Sequence, residues 1–252
     1  MGKIKIALKA IKTLKNWPLY FADYLNLIGK PEILYKLRNE IVLKIRPKTN
    51  DRVIFNQIWL NRVYEPKGFE IKENDIVLDV GAHIGLFSIL ASSKAREGKI
   101  YAFEPTPANF EILKENIELN QVKIIFPINS ALADETGTKE FILSPADPSG
   151  NSFSFDENNF KKIKVPAVSL DDFVKQNNIL KIDFLKMDCE GAEYEIFYNC
   201  SNETLKKVQK ISMEYHDVDD ERTVTHIKNF LEKFGFNVSV KTEGDNMLYA
   251  KR

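Results

Sequence analysis

Val77-Leu78-Asp79-Val80-Gly81-Ala82-His83-Ile84-Gly85 is the stretch whose reading decides the fold. An apolar run, Ile76–Val80, is bounded by Asn74-Asp75 before it and Gly81 after it, which is the signature of a short buried strand. Gly81 allows a sharp backbone turn. Gly85 lets a ligand or the next helix come close, and a helix is expected over Phe87–Ala95. The free amides at such a helix start favour an anionic group. The spacing is G-x-x-x-G, without the third glycine of the G-x-G-x-x-G that cradles a dinucleotide pyrophosphate. A smaller ligand suits it better.

Working outward, the same strand–helix alternation continues. Strands are expected at Lys99–Phe103, Val122–Ile128, Lys181–Met187 and Lys210–Glu214. Helices are expected near Pro107–Asn120, Leu170–Asn177, Ala192–Asn199 and Thr223–Phe234, and a closing hairpin at Phe236–Val240 and Met247–Ala250. This order calls for an α/β fold, a parallel sheet with helices on both faces. Residues 137–169 break the rhythm with short β-like runs, Phe141–Leu143 and Ile163–Val168, around the loop Ser144–Asn159, and read as an inserted hairpin or lid. Upstream, residues 3–16 set Ile4, Ala7, Leu8, Ile11 and Leu14 at helical spacing with lysines largely off that stripe. Glu40–Ile45 reads as a strand and residues 51–63 as a helix. We divide the chain into a basic N-terminal extension, residues 1–50, and an α/β domain, residues 51–252.

In sheets of this kind ligands bind beyond the carboxyl ends of the strands. Four motifs besides the glycine turn fall there. Glu104 ends its strand and can accept both hydroxyls of a ribose, although Pro105 also makes it a plausible helix N-terminal acid. Asn129-Ser130-Ala131-Leu132 is a loop of small residues that would admit a flat ring, or an ordinary turn. Lys186-Met187-Asp188-Cys189-Glu190-Gly191-Ala192-Glu193 crowds three acids at a strand end, where they could bind a metal, accept a proton or orient a substrate. The helix dipole accounts for Glu190 and Glu193 but less well for Asp188. Glu214-Tyr215-His216-Asp217 puts one of only three histidines beside carboxylates, as a general base near neutral pH would be.

The composition, 44% hydrophobic and 29% charged, suits a soluble chain with a sizeable core. Net charge is zero, yet residues 1–50 carry nine Lys and two Arg against three acids, a net +8, so the remainder carries −8. The basic helix is a candidate for peripheral contact with anionic lipid, with a solvated helical face as the plainer alternative. No nucleic-acid partner is expected. Two cysteines outside any CxxC pair, with no clean leader segment and no run approaching the length of a membrane span, point to the cytoplasm.

Together the motifs resemble the FkbM family of S-adenosylmethionine-dependent methyltransferases over roughly residues 50–240, most specifically in the Lys186–Glu193 element. Asp51–Phe55 to Tyr64-Glu65 is similar to the family's lead-in. His83 stands where the family usually has Asn, and Cys189 where it usually has Val or Ile. Residues 1–45 lie outside the resemblance. The resemblance implies a Rossmann-like class I methyltransferase sheet with an inserted hairpin and, here, an N-terminal helical extension. It also implies O-methylation of a small molecule, sugar or glycolipid. S-adenosylmethionine would be held by Tyr64, Asp79, Gly81, Ala82, His83, Gly85, Glu104, Ser130 and Ala131. His216 would be the base, with Asp188 as partner or substitute and Lys186 supporting the acidic strand end. Asn151, Ser152 and Glu190 would meet the acceptor. No metal is expected; if a divalent ion is held, Asp188, Glu214 and His216 would hold it. Two rivals are a nicotinamide-dependent oxidoreductase, disfavoured by the missing glycine, and a catalytically inactive nucleotide-binding scaffold, disfavoured by the intact motifs.

Overall fold

The computed structural model describes residues 3–143, 161–242 and 244–252. In chain order the elements are α1 Lys3–Thr13, α2 Trp17–Tyr24, β1 Ile33–Lys36, β2 Val42–Ile45 and α3 Asp51–Phe55, which runs on as a π-helical turn, Asn56–Asn61. Then follow β3 Ile76–Val80, α4 Leu86–Ser92, β4 Lys99–Phe103, α5 Pro107–Leu119, β5 Ile125–Ile128, β6 Ala131–Ala133, β7 Gly137–Leu143 and β8 Lys161–Ser169. The chain closes with α6 Leu170–Gln176, β9 Phe184–Met187, α7 Glu193–Tyr198, α8 Asn202–Lys207, β10 Lys210–Glu214, α9 Val224–Lys233, β11 Asn237–Lys241 and β12 Met247–Lys251.

Seven strands form the main sheet in the order β11-β12-β10-β9-β3-β4-β5. The five strands from β10 to β5 run parallel; β12 is antiparallel to both β10 and β11, so the edge strand β11 runs with the five. This is the expected α/β sheet, parallel through its centre with helices on both faces. Strand alternation sorts its side chains onto two faces. Val77, Ile100, Ala102 and Phe184 enter one apolar cluster, with α4, α5 and the N-terminal elements. Leu78, Val80, Tyr101, Phe103, Leu185 and Met187 enter the other, with α6 to α9. Asp79 and Lys186 stand opposite each other in the parallel β3–β9 register, in phase with the residues of the first face.

The inserted segment is a second sheet, β6-β8-β7, in which β7 and β8 form the antiparallel hairpin and β6 joins parallel to β8. Asn151 and Ser152 lie outside the described residues.

The first 45 residues are not peripheral to the core. Ala10, Leu14, Tyr20, Tyr35, Leu43 and Ile45 share one cluster with Phe55, Val77 and Ile84. The boundary expected near residue 50 therefore falls inside that cluster. Side-chain amides fasten β2 to α5 as an extra strand would: Asn116 Oδ1 accepts from Lys44 N (2.6 Å), and Asn120 bonds both Val42 N (2.9 Å) and Val42 O (2.7 Å).

Candidate active site

The carboxyl ends of β4, β3, β9 and β10 lie side by side, and a cleft of about 730 Å³, counting its open mouth, runs along the first three. Its walls include Gly81, His83, Glu104, Ala131, Asp188 and Glu190. At the β3 end Gly81 has φ +73, and a Cβ there would lie 1.8 Å from the Asp188 carbonyl oxygen. The glycine thus lets two strand-end turns touch. Gly85 (φ +84) does the same for helices, since its Cβ would lie 2.4 Å from Leu113 Cδ1 on α5. Of the two uses open to Gly85, helix packing is the one observed, and Gly85 does not line the cleft.

Glu104 is buried just past β4. Its Oε2 accepts the His83 amide (2.9 Å) and its Oε1 the Thr106 amide (2.8 Å), while Asn129 holds its carbonyl (2.9 Å). Burial keeps its carboxyl above the usual range despite those donors. His83 sits in the left-handed region (φ 53), which aims its amide at Glu104. Its ring Nε2 lies 3.0 Å from Arg46 Nη2. Burial lowers its pKa to about 4, so the ring is neutral at physiological pH. Ala82 and Ala131 line the cleft, but Ser130 does not: it is buried, and its hydroxyl bonds the Ala131 carbonyl (3.2 Å).

Lys186 lines the cleft between the β3 and β9 strand ends. Its Nζ meets Asp79 Oδ1 (3.1 Å), Gly81 O (2.7 Å), Val80 O (3.2 Å) and, farther off, Asp188 Oδ2 (4.0 Å). Burial alone would depress this ammonium, but Asp79 and Asp188 outweigh burial and raise its pKa. Lys186 is therefore a fixed cation that braces the β3 and β9 turns. Ser88 completes Asp79 (2.6 Å). Asp79 is fully buried and, like Tyr64, does not line the cleft. The Tyr64 hydroxyl donates to Asp188 Oδ2 (2.8 Å) and lies 3.5 Å from Glu214 Oε2, with its ring 5.3 Å from Lys186 Nζ. Burial, then Asp188 and Glu214, push its phenol well above the usual value, so it stays a donor.

Beyond the Asp188–Glu190 end of the cleft, and outside its lining, His216 follows β10. Its Nδ1 lies 3.1 Å from Oε1 of the fully buried Glu193, and its Nε2 lies 3.4 Å from Glu190 Oε2. Burial opposes its charge, but Glu193, Glu190 and Asp188 prevail and raise its pKa to about 9. Glu214 is pushed up to about 8, mostly by burial and then by Asp188. Among the described residues, Asp188, Glu190 and His216 each offer a donor atom within 4.8 Å of the others. Glu214 does not belong to that trio, contrary to the sequence expectation. Its carboxylate is turned towards Tyr64.

Sequence reasoning missed Arg46, Asp51, Asn109 and the role of Glu193. Arg46 belongs to a basic segment read as solvated, and nothing local marks it as buried. Glu193 was legible only as a helix N-terminal acid, and its contact with His216 is made across 23 residues.

The arrangement agrees with the comparisons. A model of the "Methyltransferase FkbM domain" matches residues 79–238. The AMB antimetabolite synthetase AmbE of Pseudomonas aeruginosa is 26% identical over 75% of this chain, which matches only 11% of that much longer protein. The hexuronic acid methyltransferase AglP of Haloferax volcanii is 30% identical over 63% of each chain. The 31-O-demethyl-FK506 methyltransferase FkbM of Streptomyces tacrolimicus is 24% identical over 73% of this chain and 81% of that one. With the glycine turn, the strand-end glutamate and the Lys186–Glu193 element all inside the matched span, this chain belongs to the FkbM methyltransferase family.

Proposed function

We propose that this enzyme moves a methyl group from S-adenosylmethionine to a hydroxyl oxygen of a small-molecule, sugar or glycolipid acceptor. The observation that carries the reading is one continuous cleft with Glu104 near one end and Asp188 and Glu190 near the other. In this reading the cleft residues suit the nucleoside: Glu104 would take the ribose hydroxyls, Ala131 and Phe141 would border the flat base, and Gly81, Ala82 and His83 would meet the amino-acid part. When bound, S-adenosylmethionine supplies a sulfonium methyl already primed for displacement. The names of the two O- and sugar-acid-directed relatives support an oxygen acceptor.

The chain's own task is then to align the acceptor oxygen and take its proton. His216 is the base in this reading. Glu193 holds Nδ1, which leaves Nε2 facing Glu190 and the acidic turn. Glu190 would orient the acceptor hydroxyl, and Asp188, held by Tyr64, would assist the proton's departure. Calorimetry with S-adenosylhomocysteine tests the cofactor half; absence of saturable binding would end the proposal. Full activity after exhaustive chelation is expected; its loss, restored by a divalent ion, would replace the base by a metal centre.

The acceptor's setting also has support. Seven of the exposed large apolar residues fall within residues 4–34, including Ile4 (79% exposed), Leu25 (60%) and Leu27 (72%). Lysines 3, 5, 12, 15 and 30 are exposed around them. We read this face as a peripheral contact with anionic lipid. Among the described residues no helix is long and apolar enough to cross a membrane.

A further inference from the structure

Arg46 lies just beyond β2, 37 residues before His83, yet the two side chains meet inside the protein. The Arg46 guanidinium forks onto Asp51, Nε to Oδ2 and Nη2 to Oδ1, both at 2.9 Å. Its Nη1 donates to Asn109 Oδ1 (2.9 Å), and Asn109 is in turn bonded to Glu104. The same Nη2 lies 3.0 Å from His83 Nε2. Asp51 is fully buried, and the Arg46 fork overrides burial to hold its carboxyl below the usual range, so the pair stays charged.

A guanidinium has donors and no acceptor. His83 Nε2 must therefore present its lone pair to Arg46, and a neutral ring then carries its proton on Nδ1. Burial keeps the ring neutral. Nδ1 is itself buried and has no hydrogen-bond partner among the described residues, on a ring that lines the cleft. An N–H donor of fixed tautomer is thus stored without a protein acceptor. It stands next to the amide that binds Glu104 and beside the opening of α4.

We propose that the Arg46–Asp51 pair is a positioning device that locks His83 in its Nδ1–H form to bind the carboxylate of the cofactor's amino-acid end. The inference rests on the S-adenosylmethionine reading and adds to it a residue from the segment before the matched domain. Arg46 touches no ligand in this account. It acts through His83, and through Asn109 it steadies Glu104 at the same time. One half-buried cation thereby sets both the amino-acid and the ribose ends of the site.

Two ligands separate the claims. S-adenosylhomocysteine carries the carboxylate; 5′-methylthioadenosine has the same nucleoside and a thioether but no carboxylate. Calorimetry on the full chain is expected to show His83→Ala weakening S-adenosylhomocysteine roughly 10- to 100-fold, with 5′-methylthioadenosine unchanged. Arg46→Met should show the same selective loss, and His83→Asn, which restores a side-chain N–H, should recover part of it. Nitrogen-15 imidazole spectra of the unaltered chain, which need no variant to fold, should show His83 protonated at Nδ1 and bare at Nε2. A proton on Nε2, or equal weakening of both ligands by His83→Ala, overturns the inference while leaving the cofactor reading intact. Binding of neither ligand to the unaltered chain overturns both.

Discussion

Lys186 lines the cleft and ties several of its parts together. It neutralises Asp79, caps the Val80 and Gly81 carbonyls and lies over the Tyr64 ring. Lys186→Met would leave the buried Asp79 without its counter-ion, and we expect a loss of ~3–5 kcal/mol in urea unfolding. Gly81→Ala would force a Cβ into the Asp188 carbonyl at a left-handed φ. Thermal denaturation should show a lower midpoint, and cofactor binding should fall with it. The His216 centre gives opposite signs for rate and stability. As a base, His216 must lose a proton held to about pH 9, so the rate should climb through that region. Its folded pKa is raised above 6.5, so its stabilising share is complete below about pH 6.5 and is lost as pH rises through 9. Glu214, raised from 4.5 to about 8, is also lost with rising pH. Rate and unfolding free energy should therefore diverge between about pH 6.5 and 9, and His216→Gln should remove the rise in rate while leaving the Glu214 part of the stability curve. At this scale the sequence was informative wherever a local motif carries a residue to the cleft, as at Gly81, Glu104 and Asp188. It was silent where a partner arrives from far away. Ser130 shows the converse error: a small polar residue at the right edge can spend its hydroxyl on its own backbone.

Among elements, β3, β4, β9 and β10 were readable because strands buried on both faces appear as largely apolar runs, even where Asp79, Lys186 and Ser212 interrupt them. The hairpin β1–β2 was half read. Its alternation, with Ile33, Tyr35 and Leu37 buried and Leu34, Lys36 and Arg38 exposed, is clear only once the partner layer is known. The π-helical turn was read as ordinary helix, since hydrophobic spacing over six residues does not distinguish the two. The asparagines of α5 gave no signal of docking, because an Asn in a helix is ordinarily a surface residue. Asn116 is fully buried, binding Lys44 N and the Ile84 carbonyl (2.8 Å). Asn116→Ala would strand a buried donor and a buried acceptor, at a cost of roughly 2–4 kcal/mol. It should also loosen β2 and with it Arg46, so S-adenosylhomocysteine affinity should drop along with the denaturation midpoint.

For the whole molecule, a net charge of zero conceals a +8 segment and a −8 remainder. That split was visible in the sequence, but its meaning changes with the structure. Much of the apolar stripe of α1 packs inward, with Ala10 on the helix and Leu14 just after it fully buried, and its exposed large residues are Ile4 and Leu8. The paired substitution Ile4→Asp and Leu8→Asp should reduce co-sedimentation with vesicles containing anionic phosphatidylserine several-fold while leaving cofactor binding unchanged. Equal sedimentation of both proteins would remove the lipid reading. Deleting the segment would not serve as the same test, because Tyr20, Tyr35, Leu43 and Ile45 belong to the core.

The docking of β2 and Arg46 onto α5 also has a consequence for biosynthesis. Their hydrogen-bond partners, Asn109, Asn116 and Asn120, come 63 to 78 residues later. A ribosome must therefore extrude the basic, apolar beginning of the chain well before anything exists for it to settle against. Stalled nascent chains that expose α1 to β2 but not α5 should be cut early by protease, and those that have released α5 should resist.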